Sequence, residues 1–232
     1  MKKYLLIFSL LIIGLTAHSQ VLISLLLGDK VNSDGIEFGL EGGLNITNIA
    51  GFDDTKSLRF FNLGYYFDIR VKNQWHLYTG MQVKSNFGMR NLSEDDLIFL
   101  EADTDNDVEG KYTQKLNTFM IPILANYKFK NRIYVELGPQ MGLVYNSWVE
   151  FTSDQDNKNI KIKDYNDNLI NWFNAGIAAG VGYKLQKGKG VTIGIRYYQG
   201  LTDVFKYRSG TQHNSLNFKI NIPIGAGKKE KG

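Results

Sequence analysis

The feature that most constrains this chain is a series of eight segments in which apolar and polar residues alternate. Alternation with a period of two predicts β-strands that have one apolar face and one polar face. The connections between these segments are long and short in turn, which places all long loops at one end of an antiparallel sheet and all short turns at the other. The predicted strands are 36–46, 59–70, 74–88, 117–129, 132–146, 172–185, 191–202 and 214–224.

The length and number of the predicted strands indicate where such a sheet lies. A tilted strand needs about 9–11 residues to cross a bilayer, whereas strands of soluble sandwiches more often have about 5–6. Every predicted strand exceeds ten residues, and the number of strands is even, as in bacterial outer-membrane barrels. The sequence therefore predicts an all-β protein, an eight-stranded antiparallel up-and-down transmembrane β-barrel over residues 36–224, with both termini in the periplasm.

Residues 1–19 have the pattern of a secretory signal peptide, with two lysines near the start and an apolar stretch at 5–15. Ala17 and Ser19 supply the small residues that precede a cleavage site, so we expect an exported protein of the cell outer membrane. Losing the leader also removes part of the formal charge of +4, which therefore gives no reason to expect a nucleic-acid partner. The chain has no cysteine, which excludes disulfides, thiolate catalysis and Cys-ligated zinc.

Three stretches carry a resemblance to a known family. The segment TFMIPILANYKFKNRIYVELGPQMGLVYN (118–146) resembles a strand–turn–strand hairpin of the PorT-like outer-membrane β-barrel proteins of Bacteroidota, and IGIRYYQGLTDV (193–204) resembles their penultimate strand. The segment VLISLLLGDKVNSDGIEFGLEGGLN (21–45) is also similar to members of that group. The resemblance implies a barrel class rather than a reaction. Such barrels commonly end in an aromatic residue, whereas this chain ends in NIPIGAGKKEKG (221–232).

Charged residues recur on the polar faces of the predicted strands. The interior of an eight-stranded barrel is just wide enough to be filled by side chains, and a buried charge needs a partner. We therefore expect a charge-paired lumen that keeps the barrel rigid, while a narrow path for ions or small solutes remains the alternative. The predicted lumen network comprises Glu37, Glu41, Asp68, Arg70, His76, Lys84, Lys128, Glu136, Arg196 and Lys219.

A lipid-modifying enzyme is a more distant alternative, because a few outer-membrane barrels use a histidine with a serine or glutamate near the outer leaflet. His76 lies beside a predicted periplasmic turn, which is the wrong end for that substrate. His213 lies near a predicted outer loop, with Ser209 and Ser215 close to it in sequence. We expect no catalytic residues and no cofactor.

The acidic stretch 93–111 is predicted to be a solvated external loop. Its spacing of aspartates is similar to the start of an EF-hand calcium loop, but the match ends at Val108, where the motif needs glycine, and at Gln114, where it needs glutamate. Loose calcium binding remains a weak alternative. Its candidate ligands are Asp103, Asp105, Asp107 and Glu109.

A short apolar segment follows the leader, within a predicted periplasmic region at 20–35. It either packs against the lower rim of the barrel or docks a partner, since exposed apolar surface usually marks an interface. The basic tail 225–232 is predicted to be a solvated periplasmic end. Expected partners are outer-membrane lipid and an envelope protein complex, with the chain either a monomeric barrel or a subunit of that complex. The docking candidates are Val21, Leu22, Ile23, Leu25, Leu26 and Leu27.

Overall fold

The computed structural model of the protein describes residues 35–106, 108–154, 160–186 and 190–224. The predicted signal peptide, the apolar segment at 21–27 and the basic tail lie outside the described residues. The described residues form nine strands, one α-helix and one 3-10 turn. These are β1 Ile36–Ile49, β2 Lys56–Lys72, β3 Trp75–Arg90, α1 Glu94–Phe99, β4 Lys111–Lys128, β5 Ile133–Ser153, β6 Ile160–Tyr165, the 3-10 turn Asp167–Leu169, β7 Phe173–Lys184, β8 Thr192–Gly200 and β9 His213–Pro223.

Eight of the strands close into a ring of antiparallel neighbours. The order is β4-β3-β2-β1-β9-β8-β7-β5, and pairing of β5 with β4 closes the ring. The prediction of an eight-stranded up-and-down barrel is thus confirmed. The short strand β6 stands apart from the ring and pairs only with the last part of β5, from Trp148 to Ser153. It was not predicted, because it lies within the stretch 147–171 that was expected to be a loop.

The strands place their polar face inside the barrel and their apolar face outside. On β9 the outward residues Phe218, Ile220 and Ile222 are 41%, 47% and 51% exposed. The residues between them, Asn217, Lys219 and Asn221, are buried. This is the reverse of a soluble protein, and it is stable only where the surrounding solvent is itself apolar, as it is in a lipid bilayer.

One end of the barrel, which we call the turn end, carries the short connections. Asn73 and Arg132 each adopt a left-handed backbone conformation there, with φ of 53° and 73°. Gly35 lies at the same end, since its carbonyl accepts a hydrogen bond from the Arg70 amide at 2.6 Å. The Ile224 amide donates to the Phe38 carbonyl at 2.9 Å, so both ends of the described barrel are at the turn end.

The opposite end, the loop end, is more ordered than the sequence predicted. The helix α1 begins with a capping box in which Ser93 and Asp96 exchange backbone and side-chain hydrogen bonds. Leu97 and Leu100 are buried against other loops, so the expectation of a solvated loop is wrong for this part of 93–111. None of the helices among the described residues has the length and apolar character to cross a membrane.

Candidate functional site

The middle of the lumen holds a group of four charged side chains from four strands. Glu41 on β1, Glu136 on β5, Arg196 on β8 and Lys219 on β9 point inward and are each no more than 3% exposed. Arg196 donates from Nε to Glu136 Oε1 at 2.7 Å, and its Nη1 lies 3.4 Å from Glu41 Oε1. Lys219 Nζ donates to Glu136 Oε2 at 2.9 Å. Two carboxylates therefore balance the charge of two cations inside the lumen.

Tyr78 is in contact with this group. We call Tyr78 and the four charged residues the central cluster. The Tyr78 hydroxyl donates to Glu41 Oε2, and Gln82 donates to the other oxygen of the same carboxylate. The Arg196 guanidinium lies 4.9 Å from the Tyr78 ring centroid, and Lys219 Nζ lies 4.3 Å from it. Hydrogen bonds and ring contacts of this kind offset the large cost of taking charges out of water.

A second set of ion pairs lies nearer the turn end. His76 Nδ1 is 2.5 Å from Asp68 Oδ1, and Lys128 Nζ is 2.7 Å from Asp68 Oδ2. Glu37 lies beside Asp68 in the β1–β2 register, and Lys184 Nζ of β7 reaches across the lumen to within 3.6 Å of a Glu37 carboxylate oxygen. Asp68 is buried and the other four residues are partly accessible, and together they surround the opening at the turn end.

Between these ion pairs and the central cluster lies a cavity of about 220 Å³. Tyr66, Tyr78 and Tyr134 contribute to its wall, and the first two rings stack with centroids 5.4 Å apart. The Tyr134 ring lies flat against Gly182 of β7, where any β-carbon would collide with it. The cavity ends at the central cluster, so it is a blind pocket open at the turn end.

Above the central cluster the lumen narrows to a void of about 10 Å³. Phe87 and Tyr198 face each other there, with ring centroids 6.2 Å apart. His213 packs against Phe87 at 4.4 Å, and neither of its ring nitrogens has a hydrogen-bond partner among the described residues. Ser215 makes no hydrogen bond to it, so the structure does not assemble His213 and a serine into a nucleophile–base pair.

All four long connections meet over the loop end and form an apolar cap cluster. Phe205 lies at its centre, 5.4 Å from the Phe52 ring and 5.5 Å from the Phe99 ring. Arg208 bonds Asp96 at 3.2 Å and lies over the Phe52 ring at 4.1 Å. Leucine, isoleucine and valine side chains fill the rest of the cap cluster, and these are Leu97, Leu100, Leu169, Ile170 and Val204.

Two members of the predicted lumen network lie elsewhere. Lys84 is exposed beside Val83, because an irregularity in the β3–β4 register between Gln82 and Ser85 turns both side chains outward. Arg70 is exposed at the turn end, where its side chain bonds the Asn73 carbonyl at 3.3 Å. The remaining eight predicted residues lie in the central cluster or the ion pairs of the turn end.

The weak calcium candidates do not converge on a common point in the part that is described. Asp103 accepts a hydrogen bond from the Asp105 amide at 2.9 Å, and Asp107 lies outside the described residues. In the ranges covered, no group of three acidic or histidine side chains could hold a metal ion.

The sequence does not predict the cap cluster. The loop segments carry signals that could have indicated a cap, since Phe52, Phe99 and Phe205 place aromatic side chains in the long connections. The sequence pattern within any one loop does not show that these three residues are in contact with each other.

A closed antiparallel barrel with an apolar outer band, a polar interior and aromatic side chains at its edges is the structure of an outer-membrane β-barrel. The sequence agrees with that class. Residues 29–206 match the family model described as outer membrane protein beta-barrel domain, and the chain belongs to that family. Its location is therefore the outer membrane.

Solved structures of several outer-membrane proteins are similar at low identity. Ail, the attachment invasion locus protein of Yersinia pestis crystallised with the heparin analogue sucrose octasulfate, is 12% identical, covering 82% of this chain and 98% of that one with a TM-score of 0.40. Neisserial surface protein A is 8% identical, with coverages of 82% and 97% and a TM-score of 0.40. OprG from Pseudomonas aeruginosa is 12% identical, with coverages of 82% and 93% and a TM-score of 0.37. No curated protein matches the sequence.

Proposed function

We propose that this protein is a PorT-like outer-membrane barrel of Bacteroidota that acts through its surfaces, as a structural or partner-binding subunit of an envelope or secretion complex, without catalysis. In this proposal the turn end and both termini face the periplasm and the loop end faces outward. The short turns at one end and the long loops at the other support that orientation, since outer-membrane barrels keep their short turns in the periplasm.

The observation that carries the proposal is the double closure of the lumen. The central cluster fills the middle of the barrel, and the cap cluster covers the loop end. A barrel closed at two levels offers its rims, loops and outer wall to other molecules more readily than it offers a passage. The apolar segment 21–27, which precedes the turn end in sequence, is the proposed docking element.

Cross-linking in intact cells followed by purification from native membranes tests the partner-binding role. We expect a stoichiometric envelope protein to co-purify with the full chain and to be lost when residues 21–27 are deleted. The deletion should leave the heat-modifiable migration of the folded barrel unchanged. A matched deletion of residues 226–232 controls for shortening of a periplasmic end, and a complex that survives both deletions would contradict docking by 21–27.

A narrow solute or ion pathway is the second candidate, and the blind cavity of about 220 Å³ favours it. Opening it requires the central cluster to rearrange, because Tyr78 lines the cavity and Arg196 and Lys219 lie against the Tyr78 ring. Release of small solutes from liposomes that contain the purified barrel tests this candidate. A gated path would be supported by two results together. The parent barrel should release more solute than protein-free liposomes, and release should rise further when Arg196 and Glu136 are replaced together.

A further inference from the structure

The barrel wall is much taller on one side than on the other. The strands β4 and β5 have 18 and 21 residues, whereas β9, which lies across the lumen from β4, has 11. The final part of β5, the first part of β4 and the whole of β6 form a three-stranded projecting sheet at the loop end. The upper edge of the apolar band below it is marked by Phe119 and Tyr145, which stack at 4.6 Å.

An irregularity at this edge changes which residues of β5 face outward. The β4–β5 register shifts between Asn117 and Thr118, so Tyr145 is left without an opposing residue. Below the shift the even-numbered residues of β5 point into the lumen, and above it Val149 and Phe151 are the buried inward residues. Trp148 and Glu150 therefore lie on the outer face of the projecting sheet.

The outer face of the projecting sheet is strongly basic. Three rows of neighbouring residues cross its strands. Lys115 is level with Trp148 and Tyr165, Glu150 is level with Lys163, and Thr152 is level with Lys111 and Lys161. Arg90 of β3 extends the middle row, opposite Thr113. We call these positions the basic face, and its charged members are Arg90, Lys111, Lys115, Lys161, Lys163 and Glu150.

The balance of charge on the basic face is five cations to one carboxylate. On the wall across the lumen, formed by β9 and β1, the outward residues at the same height are uncharged and include Asn214 and Leu216 of β9 and Ile46 of β1. Lys56 and Arg59 of β2 continue the positive charge beyond Arg90, so the charge runs from β6 to β2 and leaves the wall across the lumen uncharged. This charge stands directly above the side chains that contact the lipid tails.

Glu150 organises the basic face rather than neutralising it. The carboxylate is 3% exposed, and it accepts hydrogen bonds from Lys115 and from Trp148 Nε1, the latter at 3.3 Å. Lys161 Nζ lies 3.2 Å from its second oxygen. Lys163 lies over the Trp148 ring at 4.4 Å, with its ammonium group free to contact another anion. Tryptophan is favoured at membrane interfaces, where one end of a side chain meets lipid and the other meets water.

We propose that the basic face binds phosphate groups of the outer-leaflet lipid that surrounds the barrel. Cations just above the lipid tails face the headgroup layer, and each lysine or arginine near an anionic surface strengthens attachment severalfold. Exposed Arg90, Lys111 and Lys163 supply the direct contacts, while Glu150 fixes Lys115 and Lys161 beside them. Lys84, turned outward lower on β3, reaches the same layer from below through its long apolar stem. The inference rests on the proposed orientation, in which the loop end faces outward.

Native mass spectrometry of the detergent-folded barrel, mixed with bisphosphorylated lipid A, tests the proposal. The test variant is R90Q/K161Q/K163Q. The matched control R70Q/K72Q/K130Q removes the same number of exposed cations from the turn end. We expect the test variant to retain lipid A on the order of a hundredfold more weakly than the parent, and the control to match the parent. Lipid A without phosphates should bind the parent as weakly as the test variant binds the phosphorylated form.

Three results would overturn the proposal: equal retention by the parent and the test variant, equal loss in the control, or equally tight binding of a soluble sulfated oligosaccharide. The last would identify the occupant as a soluble polyanion. The orientation has its own test, because the chain has no cysteine. A Lys161→Cys variant should react in intact cells with a maleimide that cannot cross the membrane. Its failure to react would reject the orientation, whatever the lipid result.

Discussion

Two groups of charged side chains in this barrel have opposite balances. The central cluster holds two carboxylates and two cations that are almost fully buried. The basic face has five cations around one carboxylate, and most of those cations reach the surface. Buried charges are stable only when partners and hydrogen bonds replace water, whereas charges at an interface can remain unmatched. The central cluster is thus part of the structure of the barrel, and the basic face is free to bind something else.

The largest effect is expected from unbalancing the central cluster. Glu136→Gln leaves Arg196 and Lys219 with one counter-charge fewer in a buried site, and we expect the free energy of unfolding to fall by about 3–5 kcal/mol. Urea unfolding of the barrel in lipid vesicles measures it. The exposed Glu109→Gln serves as the matched control and should behave as the parent. A loss no larger than in this control would show that the central cluster contributes little to stability.

A double variant that restores the charge balance of the central cluster tests the same point more sharply. Adding Lys219→Met to Glu136→Gln removes one charge of each sign, so the double variant should lose clearly less than the sum of the two single losses. Urea unfolding in the same vesicles gives all three values. Additive losses would mean that the two residues stabilise the barrel independently.

A local effect, with a smaller consequence for unfolding of the whole barrel, is expected in the cap cluster. Phe205 is 1% exposed, and truncating it to alanine removes its contacts with Phe52 and Phe99. Truncating a fully buried phenylalanine typically costs about 3–5 kcal/mol, but here the cost falls on loop packing rather than on the barrel. We expect faster hydrogen exchange in α1 with unchanged heat-modifiability. The control Tyr207→Ala affects a side chain that is 77% exposed, and faster exchange in both variants would contradict the assignment.

The smallest effect concerns acidification of the basic face. Burial alone would raise the pKa of the Glu150 carboxyl, but hydrogen bonds from Lys115, Lys161 and Trp148 outweigh it and hold the pKa below its usual range. The stabilisation is therefore present above the ordinary glutamate pKa of about 4.3 and is lost as the pH falls through the lowered value. We expect Trp148 fluorescence to change in that acid range in the parent and not in Glu150→Gln. An identical change in both proteins would assign it to another group.

The sequence predicts the ring because each strand shows alternation by itself and the connections alternate in length. It predicts lumen residues for the same reason, since the alternation along each strand assigns four charged residues to the polar face. These are Glu41, Glu136, Arg196 and Lys219. It does not predict which of them meet. Glu41 and Arg196 are 155 positions apart in the chain, and their contact depends on how the strands are staggered around the barrel.

Apart from Arg70, which lies at the turn end, the errors occur where the inward-facing positions of a strand change from even to odd residue numbers or back. The irregularity between Gln82 and Ser85 turns Lys84 outward, and the shift at Asn117 exchanges the two faces of β5. Pro122 within β4 does not change the register, because the ladder to β5 is interrupted there and resumes with the same alignment. Irregularities of this kind depend on the neighbouring strand, so a pattern read along one strand does not reveal them.

Planar-bilayer conductance of the purified barrel tests the central claim most directly, which is that the central cluster and the cap cluster close the lumen. The parent protein should give no steady open-channel current in symmetric salt, with only the background of protein-free membranes. Insertion is verified by heat-modifiability of the same preparation. A steady, reproducible single-channel current from the parent barrel would contradict the account and favour the pathway.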